Sequence, residues 1–225
     1  PVVDAKTRQI LGVEALARWP AASPRKIGPG RFIRIAETSG LIDDLGDMIL
    51  EQACADAAQW PGLRISVNIS PVQLKNPAFV DKTLGIIVAS GIDANRVELE
   101  ITEGTLVEDV AKAKQIFETL QAAGVHIALD DFGTGFSSIG YLRQFNFNRI
   151  KIDKSLIDKI LSGTSEQHIV QGTMMMATGL TAAVTAEGVE YEEQFVVLRP
   201  TGCREMQCYS FYRPIPAADM TQLLS

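Results

Sequence analysis

The chain has 225 residues, 46% of them hydrophobic and 21% charged, an ordinary globular composition with enough length for one large core. Its formal net charge of −6 argues against broad electrostatic attraction to nucleic acid, so no DNA partner is expected and an anionic substrate would need local cations. No apolar run approaches the roughly 18 residues of a membrane span. The domain is therefore expected to make no membrane contact of its own. Cys54, Cys203 and Cys208 form no CxxC pair, which fits a reduced, cytoplasmic compartment. The first residue is Pro1 rather than Met, so the chain is expected to be a piece of a longer protein.

Taken in order, Pro1–Val3 reads as the tail of a strand. Ile10–Leu16 reads as a full one. Leu41–Trp60 carries apolar positions at helical spacing and stops at Pro61-Gly62. The strand-like run Leu63–Ser70 follows, then a helical pattern over Ala78–Ala89, stopped by Gly91. Arg96–Thr102 reads as a strand, Thr105–Ala123 as a helix ending at Gly124, and His126–Asp131 as a strand. Asn148–Asp153 is strand-like, Ser155–Leu180 is predicted as one helix weakened by Gly172 and Gly179, and Ala182–Glu187 and Glu205–Phe211 are strands. A last helix is predicted over Ala217–Leu224. Strands alternate with helices without a Gly/Ser linker, so the chain reads as a single α/β domain spanning residues 1–225 with a mainly parallel sheet. A (β/α)₈ barrel and a doubly wound open sheet are the two candidates. The dinucleotide fingerprint of the second fails because Ser138 stands where its third glycine should be.

Polar and apolar residues alternate within the strands. Ser66, Asn68 and Ser70 oppose Ile65, Val67 and Ile69; Glu98, Glu100 and Thr102 oppose Val97, Leu99 and Ile101; Arg149, Lys151 and Asp153 oppose Ile150 and Ile152; Glu205, Gln207 and Tyr209 oppose Met206 and Cys208. In a barrel the apolar face meets the helices and the polar face points inward, so polar groups from several strands converge and must pair or coordinate something. Glu14, Asn68, Glu100, Asp130, Asp131, Lys151, Glu187 and Gln207 all fall late in a strand or just after one, where a barrel builds its active-site rim. Such an oxygen-rich set suits Mg²⁺ or Mn²⁺, and the absence of a His or Cys cluster disfavours zinc. Asp130 and Asp131 are adjacent and precede a Gly133-Thr134-Gly135 turn and the serines Ser137 and Ser138. Neighbouring carboxylates repel unless a cation lies between them. Two metals bridged by a carboxylate would suit in-line phosphodiester cleavage.

Glu14-Ala15-Leu16-Ala17-Arg18-Trp19 resembles the signature of the EAL family of cyclic di-GMP phosphodiesterases. Further motifs follow in the family's order: Phe32–Ile42, Ser66–Ser70, Glu98–Glu103, Asp130–Ser138, Lys151–Ser155 and Ala186–Glu190. The resemblance covers nearly the whole chain. It implies a (β/α)₈ barrel with one reversed strand near the start, and hydrolysis of cyclic di-GMP to linear pGpG in a two-metal site with Mg²⁺ or Mn²⁺. It further implies that Glu14, Asn68, Glu100 and Asp130 hold the first metal and that Asp131 reaches the second, with Asp130 bridging. Lys151 and Glu187 would orient or deprotonate the attacking water, and Arg18 would contact a substrate phosphate. Leu16, Glu190 and Gln207 would line the substrate pocket, and Glu103 would steady the loop after Asp131. A homodimer and regulatory neighbours such as GGDEF or sensor domains are implied as partners. Three departures from the family pattern stand out: Cys208 for a usual Gly, Arg34 for a common Pro and Leu156 for a common Phe. The alternatives are a non-catalytic receptor for the same dinucleotide and a barrel lyase using Lys151 as a Schiff base. The surrounding carboxylates oppose the second, since such a lysine needs a depressed pKa.

Overall fold

The computed structural model describes residues 1–19, 27–104, 109–134, 142–209 and 211–224. Eight strands close into a barrel in chain order: β1 (Val2–Asp4), β2 (Ile10–Ala15), β3 (Arg64–Asn68), β4 (Val97–Thr102), β5 (His126–Phe132), β6 (Arg149–Ile152), β7 (Ala183–Val189) and β8 (Glu205–Cys208). Neighbours from β2 to β8 are parallel, while β1 runs antiparallel to both β2 and β8. This is the barrel with one reversed strand; the open-sheet alternative falls with the closure. The reversal follows from a tight connection. Asp4 Oδ1 accepts hydrogen bonds from the backbone N–H of Lys6 and Thr7 and from Thr7 Oγ1, and Arg8 adopts φ 61°. An aspartate-led turn this short can join only antiparallel strands.

Helices cover the outside: α1 (Pro29–Ser39) and α2 (Ile42–Ala58) after β2, α3 (Phe79–Ser90) after β3, α4 (Val110–Ala122) after β4, α5 (Lys154–Ile157) and α6 (Thr164–Gly179) after β6, α7 (Glu192–Leu198) after β7 and α8 (Ala217–Leu224) after β8. The single helix predicted over Ser155–Leu180 is two. Ile157 and Ile160 are fully buried, and anchoring both pulls the chain into a turn after Ile157. Gln194 Nε2 and Gln167 Nε2 then donate to the carbonyls of Ile157 and Ile160, so the break leaves those acceptors satisfied. The predicted start of α4 at Thr105 falls outside the described residues; the helix observed begins after Asp109, whose carboxylate accepts from Lys112 N. The pattern reading omitted α1 and α7. Pro29 at the first turn of α1 and a left-handed Gly40 just past its end mark it in the sequence.

The apolar faces of the strands pack outward against the helices, with Val67, Leu99, Ile127, Leu129, Ile150, Ile152 and Met206 buried there. The barrel interior is polar, and its base is filled by a closed ring of charge. Arg149 Nε reaches both carboxylate oxygens of Glu98 at 3.1 and 2.9 Å, and its Nη1 lies 3.0 Å from Thr185 Oγ1 and 2.8 Å from Glu205. Arg64 completes the ring, 3.2 Å from Glu98 and 2.7 Å from Glu205. Ser66 Oγ donates to Glu98 at 3.0 Å. Two arginines face two glutamates, so the layer carries no net charge.

Arg96 ties the outer layer to the barrel. Its Nε donates to Leu63 O at 2.8 Å and its Nη2 to Ala57 O and Trp60 O at 2.7 Å each, which satisfies the carbonyls at the end of α2. Arg96→Ala is expected to lower unfolding free energy by about 2 kcal/mol, because three charge-assisted hydrogen bonds from one side chain are lost. Urea denaturation checks this; a loss below about 0.5 kcal/mol would contradict the clamp.

Candidate active site

At the end of the barrel opposite the base ring, the inward residues of seven strands meet. Lys151, on β6, is the hub. Its Nζ lies 2.6 Å from Glu100 on β4, 2.6 Å from Glu187 on β7, 3.2 Å from Asp130 on β5 and 3.5 Å from Glu14 on β2. Glu14 is held from both sides: Asn68 Nδ2 on β3 donates to its Oε1 at 2.7 Å, and Gln207 Nε2 on β8 donates to its Oε2 at 2.8 Å. The eight residues predicted to converge on the rim are therefore brought together, with Asp131 beside Asp130.

Burial alone would make Lys151 shed its proton. The carboxylates of Glu100, Glu14, Glu187 and Asp130 outweigh that penalty and hold its pKa well above the usual lysine value. This opposes the Schiff-base reading, which needs a depressed lysine pKa. Glu187 is pushed up to about 7, by burial first and by Asp130 beside it, against the pull of Lys151. Burial and then Asp130 and Asp153 raise Asp131. Glu14 is lowered: burial opposes its charge, but Lys151 and the amides of Gln207 and Asn68 together prevail.

Two irregularities aim the acids. The β5–β6 register shifts between Leu129 and Phe132, and Asp131 within that bulge has φ 55°, a left-handed conformation that aspartate tolerates better than most residues. The β7–β8 register shifts between Glu187 and Val189, around Gly188 at φ 64°. Bulges re-aim side chains, and here they flank the strand that carries Lys151.

The family comparison follows from this geometry. Residues 1–214 match the EAL domain family. The chain belongs to that family. It is 44% identical over 222 residues to an uncharacterized signaling protein of Caulobacter vibrioides, covering 98% of this chain and 27% of that protein. It is 35% identical over 229 residues to the cyclic di-GMP phosphodiesterase NbdA of Pseudomonas aeruginosa, covering all of this chain and 29% of NbdA. Among solved structures, the PaMucR phosphodiesterase in complex with c-di-GMP superimposes with a TM-score of 0.91 at 34% identity, covering 98% of this chain and 91% of that one. The EAL domain thus spans less than a third of the curated relatives named here.

From Glu14, Leu16, Arg18 and Gln207 of the EAL domain a cavity of about 690 Å³ runs into the outer layer, where Val13, Ala53, Trp60, Ile65 and Met220 line it between β2, α2 and α8. Leu16 and Arg18 open onto it beside Glu14 and Gln207. The sequence reading missed Tyr209 and Pro214 as lining residues. Glu190 Oε1 accepts from Lys154 Nζ at 3.0 Å beyond the β7 bulge. Glu103 is buried with Oε2 lacking a hydrogen-bond partner. The Gly135–Ser138 part of the loop it was expected to steady lies outside the described residues, so that contact does too. Cys208 is buried in the outer apolar layer, aligned with Val189, and does not narrow the interior. Arg34 is exposed and Leu156 packs against the same outer layer.

The donor set fits a hard divalent cation. Five carboxylates (Glu14, Glu100, Asp130, Asp131 and Glu187) share one ammonium, unlike the balanced ring below. Carboxylate oxygens of Asp130, Asp131 and Glu187 lie within 4.8 Å of one another. Asp130 Oδ1 is buried without a hydrogen bond, its approach to Lys151 being electrostatic only. Unneutralised carboxylates at that spacing attract an oxygen-seeking metal. Adding Mn²⁺ at about a hundred times its dissociation constant is expected to stabilise the domain by about 2.7 kcal/mol. Thermal melts with and without EDTA measure this, and unchanged melting temperatures across millimolar Mn²⁺ and Mg²⁺ would contradict the fit.

Proposed function

We propose that this EAL domain hydrolyses one phosphodiester bond of cyclic di-GMP to give linear pGpG. The carrying observation is the acid-rich rim around Lys151 at the strand ends. The similarity to NbdA and to PaMucR supports the substrate. Glu14, Asn68, Glu100 and Asp130 would hold one Mg²⁺ or Mn²⁺, and Asp131, with Asp130 shared, a second. When bound, such a pair supplies a water acidic enough to lose its proton near neutrality and neutralises charge on the phosphate oxygens.

The chain's own residues do the rest. Lys151 keeps its proton and presents a fixed positive charge at the rim, where a phosphate enters. Glu187 is largely buried at the rim and takes the proton of the attacking water on a carboxylate oxygen. Gln207 keeps Glu14 in place through Nε2, and its Oε1, buried and without a hydrogen-bond partner, is left to accept from the substrate. Arg18 meets a phosphate at the cavity mouth, and Leu16 packs against a base. Glu103 and Glu190 act at one remove, the first on the loop after Asp131 and the second through Lys154. The domain works in the cytoplasm as one part of a longer signalling protein, paired as a homodimer and governed by GGDEF or sensor modules. No helix among the described residues is long and apolar enough to cross a membrane.

Purified protein with Mg²⁺ or Mn²⁺ is expected to convert cyclic di-GMP to pGpG, read by liquid chromatography, with EDTA abolishing turnover. Glu14→Ala should cut kcat/KM by more than about a hundredfold with the fold intact by circular dichroism, since loss of a ligand exceeds the effect of losing its support. Tight binding of the dinucleotide without turnover under either metal would make the domain a receptor instead.

A further inference from the structure

The charge ring at the base of the barrel takes no part in the chemistry above, yet it is built on the strands that make the rim. Glu98 and Glu100 stand two residues apart on β4, and Arg149 and Lys151 two apart on β6. Residues so spaced on a strand share a face. Each residue of β4 pairs with its counterpart on β6 across the interior: Glu98 with Arg149 at 2.9 Å, Glu100 with Lys151 at 2.6 Å. Both pairs span the same chord, passing over β5. There Glu98 is in register with His126, while Ala128 is in register with Glu100 on one side and Arg149 on the other. A methyl group leaves the chord open.

The two pairs differ in stiffness. Arg149 engages Glu98 through both carboxylate oxygens and is fixed further by Thr185 and Glu205, and a planar guanidinium so held has little freedom to turn. Glu98 is fixed in return by Ser66 and Arg64. Lys151 offers a point charge on a flexible stem, and its 2.6 Å hydrogen bond to Glu100 constrains direction less than the planar guanidinium below does.

We propose that the Glu98–Arg149 pair, locked in its ring, is the positioning element of the active site: it sets the β4–β6 spacing at which Glu100 and Lys151 meet, and through them the arrangement of the metal-binding carboxylates. The metal-binding part of this inference rests on the function proposed above; the placement of Lys151 does not.

The test replaces the pair with apolar residues of similar length, Glu98→Met together with Arg149→Met. Arg64 and Glu205 remain paired at 2.7 Å, so no lone buried charge is left, and such exchanges often keep or raise stability. A melting temperature near wild type is expected. The ¹⁵N-detected ammonium resonance of Lys151 in metal-free protein is expected to shift or broaden, and Mn²⁺ binding, by calorimetry, to weaken about tenfold or more. An unchanged Lys151 resonance with unchanged Mn²⁺ affinity would make the ring structural only and overturn the proposal. If the double variant does not fold, Thr185→Val, which takes one acceptor from Arg149, gives the same readouts: a smaller shift of the resonance supports the proposal and none overturns it. A wild-type domain that neither binds Mn²⁺ nor cleaves the dinucleotide would sink the proposed function, and the Lys151 resonance would still decide this inference.

Discussion

Lys151 Nζ lies within 3.5 Å of carboxylates from β2, β4, β5 and β7, and the upper half of the barrel depends on that convergence. Four acids that would otherwise repel one another across a closed interior are held by one ammonium. The closure brings the acids together, and their field in turn keeps the lysine protonated although it is almost wholly buried. Neither side of the arrangement persists without the other, because an isolated charge at that depth would neutralise itself.

The interior is therefore two layers with different electrostatic characters. The base ring of Arg64, Glu98, Arg149 and Glu205 is balanced and hydrogen-bonded on all sides but the Arg64–Glu98 ion pair, so it behaves as a brace across β3, β4, β6 and β8. The rim is overdrawn in negative charge and only loosely directional. An inside-out core of this kind, apolar shell and ionic centre, is costly to desolvate. It is tolerated where the surplus charge has a use, and a surplus of carboxylates at the strand ends is the chemistry of a hard-cation site.

Local backbone departures complete the rim. Regular pleating places alternate residues inward, which by itself would deliver Asp130 but turn Asp131 away. The bulge between Leu129 and Phe132, with Asp131 left-handed, brings the second acid toward the first. Gly188 does the same service after Glu187, where a β-carbon would collide with the side chain of Lys154, which itself donates to Glu190.

Much of this was legible in the residues. Period-two alternation in Glu98–Thr102 and Arg149–Asp153 already separates an apolar from a polar face, and placing the acids at strand ends already marks a rim, because local pattern and side-chain chemistry are properties of short segments. The helix break after Ile157, the partner of Glu190 and the closure of the base ring were not legible. Each depends on which distant residue arrives: Gln194 on the Ile157 carbonyl, Lys154 over Gly188, Glu205 against Arg64. The sequence by itself determined which groups are polar, which strand carries each and which family the motifs belong to. Only the tertiary structure decided which charge faces which, because pairing inside a closed barrel is set by register and shear across strands far apart in the chain.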